Sequence, residues 1–167
     1  ELLMIHWLSQ GRGVELHGCA VLDADGRGYV FVGYSGAGKT TTARLWREQP
    51  GVTVLTDDRT IVRLVDGRPT MFGTPWHGDE PLAASRQAPI TRIFVLEHGD
   101  ANVTAPLDRP TAVAALVARC FPPFHDRDGM ASTLDLLDAI TERVRVDHLR
   151  FVPDQRIIDC VRAWTTA

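Results

Sequence analysis

The sequence predicts an α/β fold, a mixed β-sheet flanked by helices, and three observations carry that reading. Strand-like runs joined by Asp-Gly turns dominate the first half. Apolar residues at helical spacing dominate the second. Between them "VFVGYSGAGKTTTARLW", residues 30–46, passes from an apolar strand through a glycine-rich turn into a segment of helical composition.

The elements follow in order. "GVELHGCAVL" and "GYVFVG" are two strands joined across "DADGR" by a hairpin-like turn. "KTTTARLWREQ" is a helix that stops at Pro50 and Gly51. "VTVLT" is a third strand ending in Asp57 and Asp58. "RTIVRLV", "DG" and "RPTMFG" form a second hairpin, and "ITRIFVLEH" is a further strand. "RPTAVAALVARCF" spaces Val113, Leu116, Val117 and Cys120 for a core-facing helix. "STLDLLDAITERVR" does the same with Leu134, Leu137, Ile140 and Val144. "VDHLRFV" returns to strand. "PDQRIIDCVRAW" closes the chain as a helix with Asp154 as its N-cap and Ile157, Val161 and Trp164 on one face.

Composition bounds the function. At 167 residues, 44% hydrophobic and 23% charged, residues 1–167 are expected to form one domain with a substantial core. The chain starts at Glu1 rather than Met, so it is read as the folded part of something longer. A net charge of -3 supplies no general field for nucleic acid, and the four tryptophans form no array for stacking bases. "ELLMIHWL" is far too short to cross a bilayer, and no longer apolar run follows, so no membrane role is expected. Cys19, Cys120 and Cys160 are far apart and lack CxxC spacing. They read as reduced core residues of a cytoplasmic protein. Homo-oligomerisation is left open.

The most specific signal is G-Y-S-G-A-G-K-T, from Gly33 through Tyr34, Ser35, Gly36, Ala37, Gly38 and Lys39 to Thr40. It matches GxxxxGK[ST] in full, and it sits between a strand and a helix as the motif requires. Glycines let consecutive backbone N–H groups turn toward phosphate oxygens, and the helix N-terminus, where Thr41 lies, adds positive potential. Lys39 would reach the β- and γ-phosphates of ATP, and the Thr40 hydroxyl is suited to hold Mg²⁺.

Phosphoryl transfer also needs a carboxylate at the end of a nearby strand, and "VTVLTDD" supplies two. One can face Mg²⁺ while the other takes a proton from an attacking hydroxyl. The assignment is Asp57 for the metal and Asp58 for the base; the alternative is that both only cap a turn. His17 lies on the preceding strand, where it is either a structural histidine or a neighbour of the same site.

Together "LHGCAVLDADGRGYVFVGYSGAGKTTTARLW" and "VTVLTDD" resemble the HPr kinase/phosphorylase family and its smaller kinase-like relatives, closely over about residues 13–60 and in outline beyond. The resemblance implies the fold of the family's C-terminal kinase domain, related to the P-loop of phosphoenolpyruvate carboxykinases. It also implies use of ATP and Mg²⁺, with His17 assisting Asp58 as that residue deprotonates a serine hydroxyl. Lys39 and Thr40 carry over from the P-loop. The family's later Mg²⁺ glutamate corresponds loosely to Glu80, and its later catalytic arginine finds its best candidate in Arg86. The family's HPr-specific stretch is replaced here by "WHGDEPLAASRQAP", so the expected acceptor is a serine of a peptide or protein other than HPr. Two rival readings are an ATP-responsive binding module that moves no phosphate and a small-molecule kinase.

Two further constellations have a bland reading beside a functional one. His77, Asp79 and Glu80 form a solvated loop or contact Mg²⁺-ATP or the acceptor. "FPPFHDRDGM" is a packed loop or a peptide-binding one.

Overall fold

The computed structural model describes residues 2–78 and 80–166. The chain opens with α1 (Leu2–Leu8), β1 (Val14–Leu22), β2 (Gly28–Val32) and α2 (Lys39–Arg47). A run of strands follows: β3 (Thr53–Thr56), β4 (Arg59–Val65), β5 (Arg68–Phe72), β6 (Gln87–Pro89), β7 (Arg92–His98) and β8 (Val103–Pro106). The remainder is α3 (Arg109–Val117), α4 (Arg127–Arg143), β9 (Val146–Phe151) and α5 (Arg156–Thr166). This is the expected mixed α/β architecture. No helix among the described residues is long and apolar enough to cross a membrane.

The strands form one mixed sheet in the order β6-β5-β4-β1-β2-β7-β9-β8, with β3 also paired to β1. The two hairpins β1–β2 and β4–β5 are antiparallel, whereas β2–β7 and β7–β9 are parallel. Asp66 and Gly67 join β4 to β5 with φ of 49° and 74°. A two-residue turn with both φ values positive matches the right-handed twist of the strands it connects, which is why the Asp-Gly pair marks it.

Alternation along the central strands divides the core between the two faces of the sheet. Leu16, Ala20, Val30, Val32, Ile93 and Val95 meet Leu116 of α3 and Leu137 and Ile140 of α4. On the other face Val21, Tyr29, Phe31 and Phe94 meet Trp46 of α2 and Ile157 and Val161 of α5. Every residue of β2 is buried, because a central strand covered on both faces is apolar throughout rather than alternating.

Several expectations are corrected at this level. Helix α4 starts at Arg127, inside the stretch read as a loop, because Asp126 Oδ1 accepts from the amides of Asp128 and Gly129 at 3.1 Å each and so caps the helix. Leu134, expected in the core, is 41% exposed. The inward stripe of α4 is Thr133, Leu136, Leu137 and Ile140, and Leu134 lies about 60° outside its edge at Leu137. Cys19 is fully buried, but Cys120 and Cys160 are only partly so; all three are free thiols. The sequence reading gave no element to α1, β6 or β8. The two strands have three and four residues, each with a proline, and such edge segments carry almost no period-2 signal.

Candidate active site

The site forms where β1 exchanges partners on one edge, from the 119–121 segment to β2, while β4 and β3 follow one another along the other edge. Its first half, Val14 to His17, pairs with β4, and its second half pairs with β2 on one edge and β3 on the other. The fork falls at His17 and Gly18. The His17 amide donates to Arg119 O at 2.8 Å and the Gly18 amide to Asp58 O at 2.8 Å. Strand β2 departs from one edge into the glycine-rich loop, and β3 ends at the opposite edge in Asp57 and Asp58. Residues 17, 39 and 58 are thus brought together by the divergence of strands rather than by local sequence.

The glycine-rich loop enters α2 without a side-chain cap: Gly38 takes the N-cap position at φ 100°. The first-turn amides of α2 therefore lack side-chain acceptors, the arrangement that suits a bound anion. Gly36 also has positive φ, at 80°. A Cβ on Gly38 would lie 2.6 Å from Phe151 Cζ, so glycine is required there by both conformation and space. His98, stacked on Phe151 with ring centroids 5.6 Å apart, donates from Nε2 to Gly36 O at 2.8 Å. The loop is thereby clamped from the C-terminal end of β7.

A cleft of about 340 Å³ brings the loop residues Ser35, Gly36 and Gly38 to Thr41 together with His17, Asp58, Gly78 and His98. Lys39 is 7% exposed, and its Nζ donates to the carbonyls of Gly33 and Tyr34 at 3.0 Å each. Burial pulls the Lys39 ammonium below its ordinary pKa, with Asp58 opposing the shift. His17 Nε2 lies 3.2 Å from Asp58 Oδ1, and both side chains are about a quarter exposed, at 28% and 24%. Burial, followed by the charge of Lys39, holds His17 below its usual pKa, against the pull of Asp58. A neutral imidazole donating from Nε2 to Asp58 Oδ1 is the arrangement these effects favour.

The expected site residues divide into two groups. Lys39, Thr40, Thr41, Asp58 and His17 converge on the cleft with most of the loop. Gly33 and Tyr34 bind the lysine through their carbonyls, and Tyr34 is 58% exposed. Asp57 is 1% exposed and points into the 75–82 loop: its Oδ1 accepts from the Gly78 amide at 3.0 Å and its Oδ2 from the Glu80 amide at 3.3 Å. The Glu80 carboxylate is occupied on the outer side of α2, 2.7 Å from Arg44 Nε and 3.8 Å from Arg47 Nη1. Arg86 reaches Thr53 Oγ1 at 3.1 Å and lines a different hollow. His77 is exposed, and Asp79 lies outside the described residues. Among the described residues no cluster of three His, Cys, Asp or Glu side chains could hold a metal ion.

Sequence reasoning missed three residues here: His98, Arg59 and Arg119. Arg59 Nε lies 3.2 Å from Asp58 Oδ2, its Nη1 is 3.6 Å from the buried Glu15, and its guanidinium rests 4.6 Å over Phe121. Its place directly after the acid pair was the available signal. His98 and Arg119 carried none, because neither lies near a recognisable motif.

No family model and no curated protein matches the chain. Among solved structures it is similar to the Hpr(Ser) kinase/phosphatase from Coxiella burnetii, at 10% sequence identity and a TM-score of 0.49, over 92% of this chain and 99% of that one.

Proposed function

We propose that this protein is an ATP- and Mg²⁺-dependent kinase that transfers the γ-phosphoryl group to a serine-type hydroxyl of a peptide or protein. The observation that carries the reading is the His17–Asp58 pair, 3.2 Å apart, in one cleft with Lys39 and an uncapped glycine-rich loop. A nucleotide-binding module has use for the loop and the lysine. It has no use for a carboxylate oriented by a neutral histidine beside them.

In this reading the loop amides and Lys39 bind the triphosphate, so that their donors already point where negative charge develops. Lys39 then exchanges its two carbonyl acceptors for phosphate oxygens. His17 donates to one oxygen of Asp58 and Arg59 lies beside the other, which fixes the carboxylate. Asp58 takes the proton of the acceptor hydroxyl. The oxygen donors fit a hard cation: the Thr40 hydroxyl lines the cleft, and Asp57 sits one residue from Asp58, held rigid by two loop amides. Mg²⁺ would be held by the Thr40 hydroxyl at the cleft and by the enclosed Asp57 carboxylate through water, and would supply charge neutralisation at the phosphates. Glu80, paired with Arg44 and Arg47, serves to fasten the 75–82 loop to α2.

Incubation with γ-labelled ATP and Mg²⁺ against HPr, serine peptide and small hydroxyl-compound pools tests the reading. Asp58→Asn is expected to lower transfer about 10²–10⁴-fold while sparing nucleotide binding, and Lys39→Ala to abolish transfer. A parent-like rate in Asp58→Asn removes the base assignment.

A further inference from the structure

Arg119 is a feature near the cleft that the catalytic reading leaves unused. It follows α3 in a segment that runs beside β1: the His17 amide donates to Arg119 O at 2.8 Å, and the Phe121 amide to Glu15 O at 3.0 Å. This pairing fixes the backbone of Arg119 next to the catalytic strand. Its guanidinium lies 4.3 Å over the Tyr34 ring, with Nη1 donating to Ala115 O at 2.9 Å. Nε is enclosed without an acceptor. Among the described residues Arg119 pairs with no carboxylate. Glu97, in the same groove, is taken by His148, whose Nε2 is 2.8 Å from Glu97 Oε2.

A half-buried arginine placed over an aromatic ring and paired with no carboxylate among the described residues is arranged to receive a carboxylate or phosphate. Its position decides between these. Arg119 and Tyr34 line a groove of about 460 Å³ that shares Ser35, Gly36 and His98 with the cleft. Arg119 does not line the cleft that contains Lys39 and Thr40. Because Lys39 Nζ is tied to the carbonyls of Gly33 and Tyr34, the terminal-phosphate end of the loop is the Tyr34 end. The groove adjoins that end of the loop and shares Ser35, Gly36 and His98 with the cleft that holds Asp58, so a peptide whose hydroxyl reaches Asp58 can lay a neighbouring side chain along it.

We propose that Arg119, laid on the Tyr34 ring beside the glycine-rich loop, is a carboxylate subsite for the acceptor, so that the substrate is a serine peptide with an acidic side chain near its hydroxyl. The direction of the acceptor rests on the kinase reading; the charge preference is measured by binding alone. The experiment is fluorescence polarisation of labelled, C-terminally amidated serine peptides with Glu, Gln or Lys around the serine, in the presence of Mg²⁺ and a non-hydrolysable ATP analogue. The parent protein is expected to bind the Glu peptides about 10-fold more tightly than the Gln peptides, the size of one charge-assisted contact. In Arg119→Gln that preference disappears while affinity for the ATP analogue is unchanged, and Arg119→Glu turns it toward the Lys peptides.

Equal binding of Glu and Gln peptides by the parent, or binding of neither, overturns the subsite. So does an Arg119→Gln protein that loses affinity for the ATP analogue and keeps the Glu preference, because the guanidinium then serves the nucleotide. Acidic preference without phosphoryl transfer to the preferred peptides removes the kinase reading and leaves the subsite standing. Transfer without acidic preference does the reverse.

Discussion

His17 and Gly38 show how single positions are constrained by what surrounds them. Because the folded-state pKa of His17 lies below the ordinary value of 6.5, the unfolded chain binds more protons between the two values. Unfolding free energy therefore rises with pH across that window, and the penalty of burying this imidazole is felt below it. Comparing urea denaturation of the parent and His17→Gln from about pH 5 to pH 8 is expected to show a steeper gain with pH in the parent; parallel curves would refute the buried neutral histidine. Gly38 is constrained by space as well as conformation. Gly38→Ala drives a methyl against Phe151 at a φ of 100°, so a cost of about 1–3 kcal/mol is expected, with loss of the loop geometry that nucleotide binding needs. Thermal melting and calorimetric titration with an ATP analogue measure the two effects separately.

Element α2 connects the cleft to the core. Its exposed side carries Arg44 and Arg47, and its buried side ends in Trp46, which is fully enclosed. The indole packs against Tyr29 and Phe31 of β2 at ring-centroid distances of 5.3 and 6.1 Å. The helix whose first turn faces the cleft is thus anchored by its last turn to the strand that leads into the loop. Trp46→Ala is expected to cost about 3–5 kcal/mol and to weaken binding of an ATP analogue although Trp46 does not line the cleft. Chemical denaturation and titration of the same variant test both halves; a destabilised protein with parent affinity would show that the anchor supports the fold alone. The existence of α2 and of both hairpins was legible in the sequence, since composition, stop signals and Asp-Gly turns agree. The start of α4 was not, because the Asp126 cap lies within a proline-rich stretch whose bulk composition reads as loop.

Across the whole molecule, long-range ion pairs tie the sheet to its closing helix. Arg92 of β7, 6% exposed, is 2.9 Å from Asp147 Oδ2 on β9 and donates to Trp164 O of α5 at 2.8 Å. Arg162 of α5 forms a bidentate pair with Asp23 at the β1–β2 turn, 2.8 Å at both contacts. Removing one partner of a buried pair strands the other charge. Arg92→Met is therefore expected to cost about 3–5 kcal/mol, toward the lower figure because Arg145 Nε stays 2.9 Å from Asp147 Oδ1. Arg92→Met combined with Asp147→Leu is expected to recover most of that loss in a denaturant titration. Non-additivity of this kind distinguishes a stranded charge from simple loss of packing.

The sequence by itself determined the α/β class, the glycine-rich loop between a strand and a helix, and the acid pair at a strand end. Each is a local signal: periodicity, φ-permissive residues and turn chemistry act within a few positions. Tertiary structure alone decided that His17 meets Asp58, that Asp57 turns away to hold the 75–82 loop, that Glu80 serves Arg44 and Arg47, and that Arg119 lies on Tyr34. The meeting of His17, Asp58 and the 119–121 segment follows from β2 giving way to that segment on one edge of β1, opposite the join of β3 and β4, and no local pattern encodes which edges distant segments will occupy.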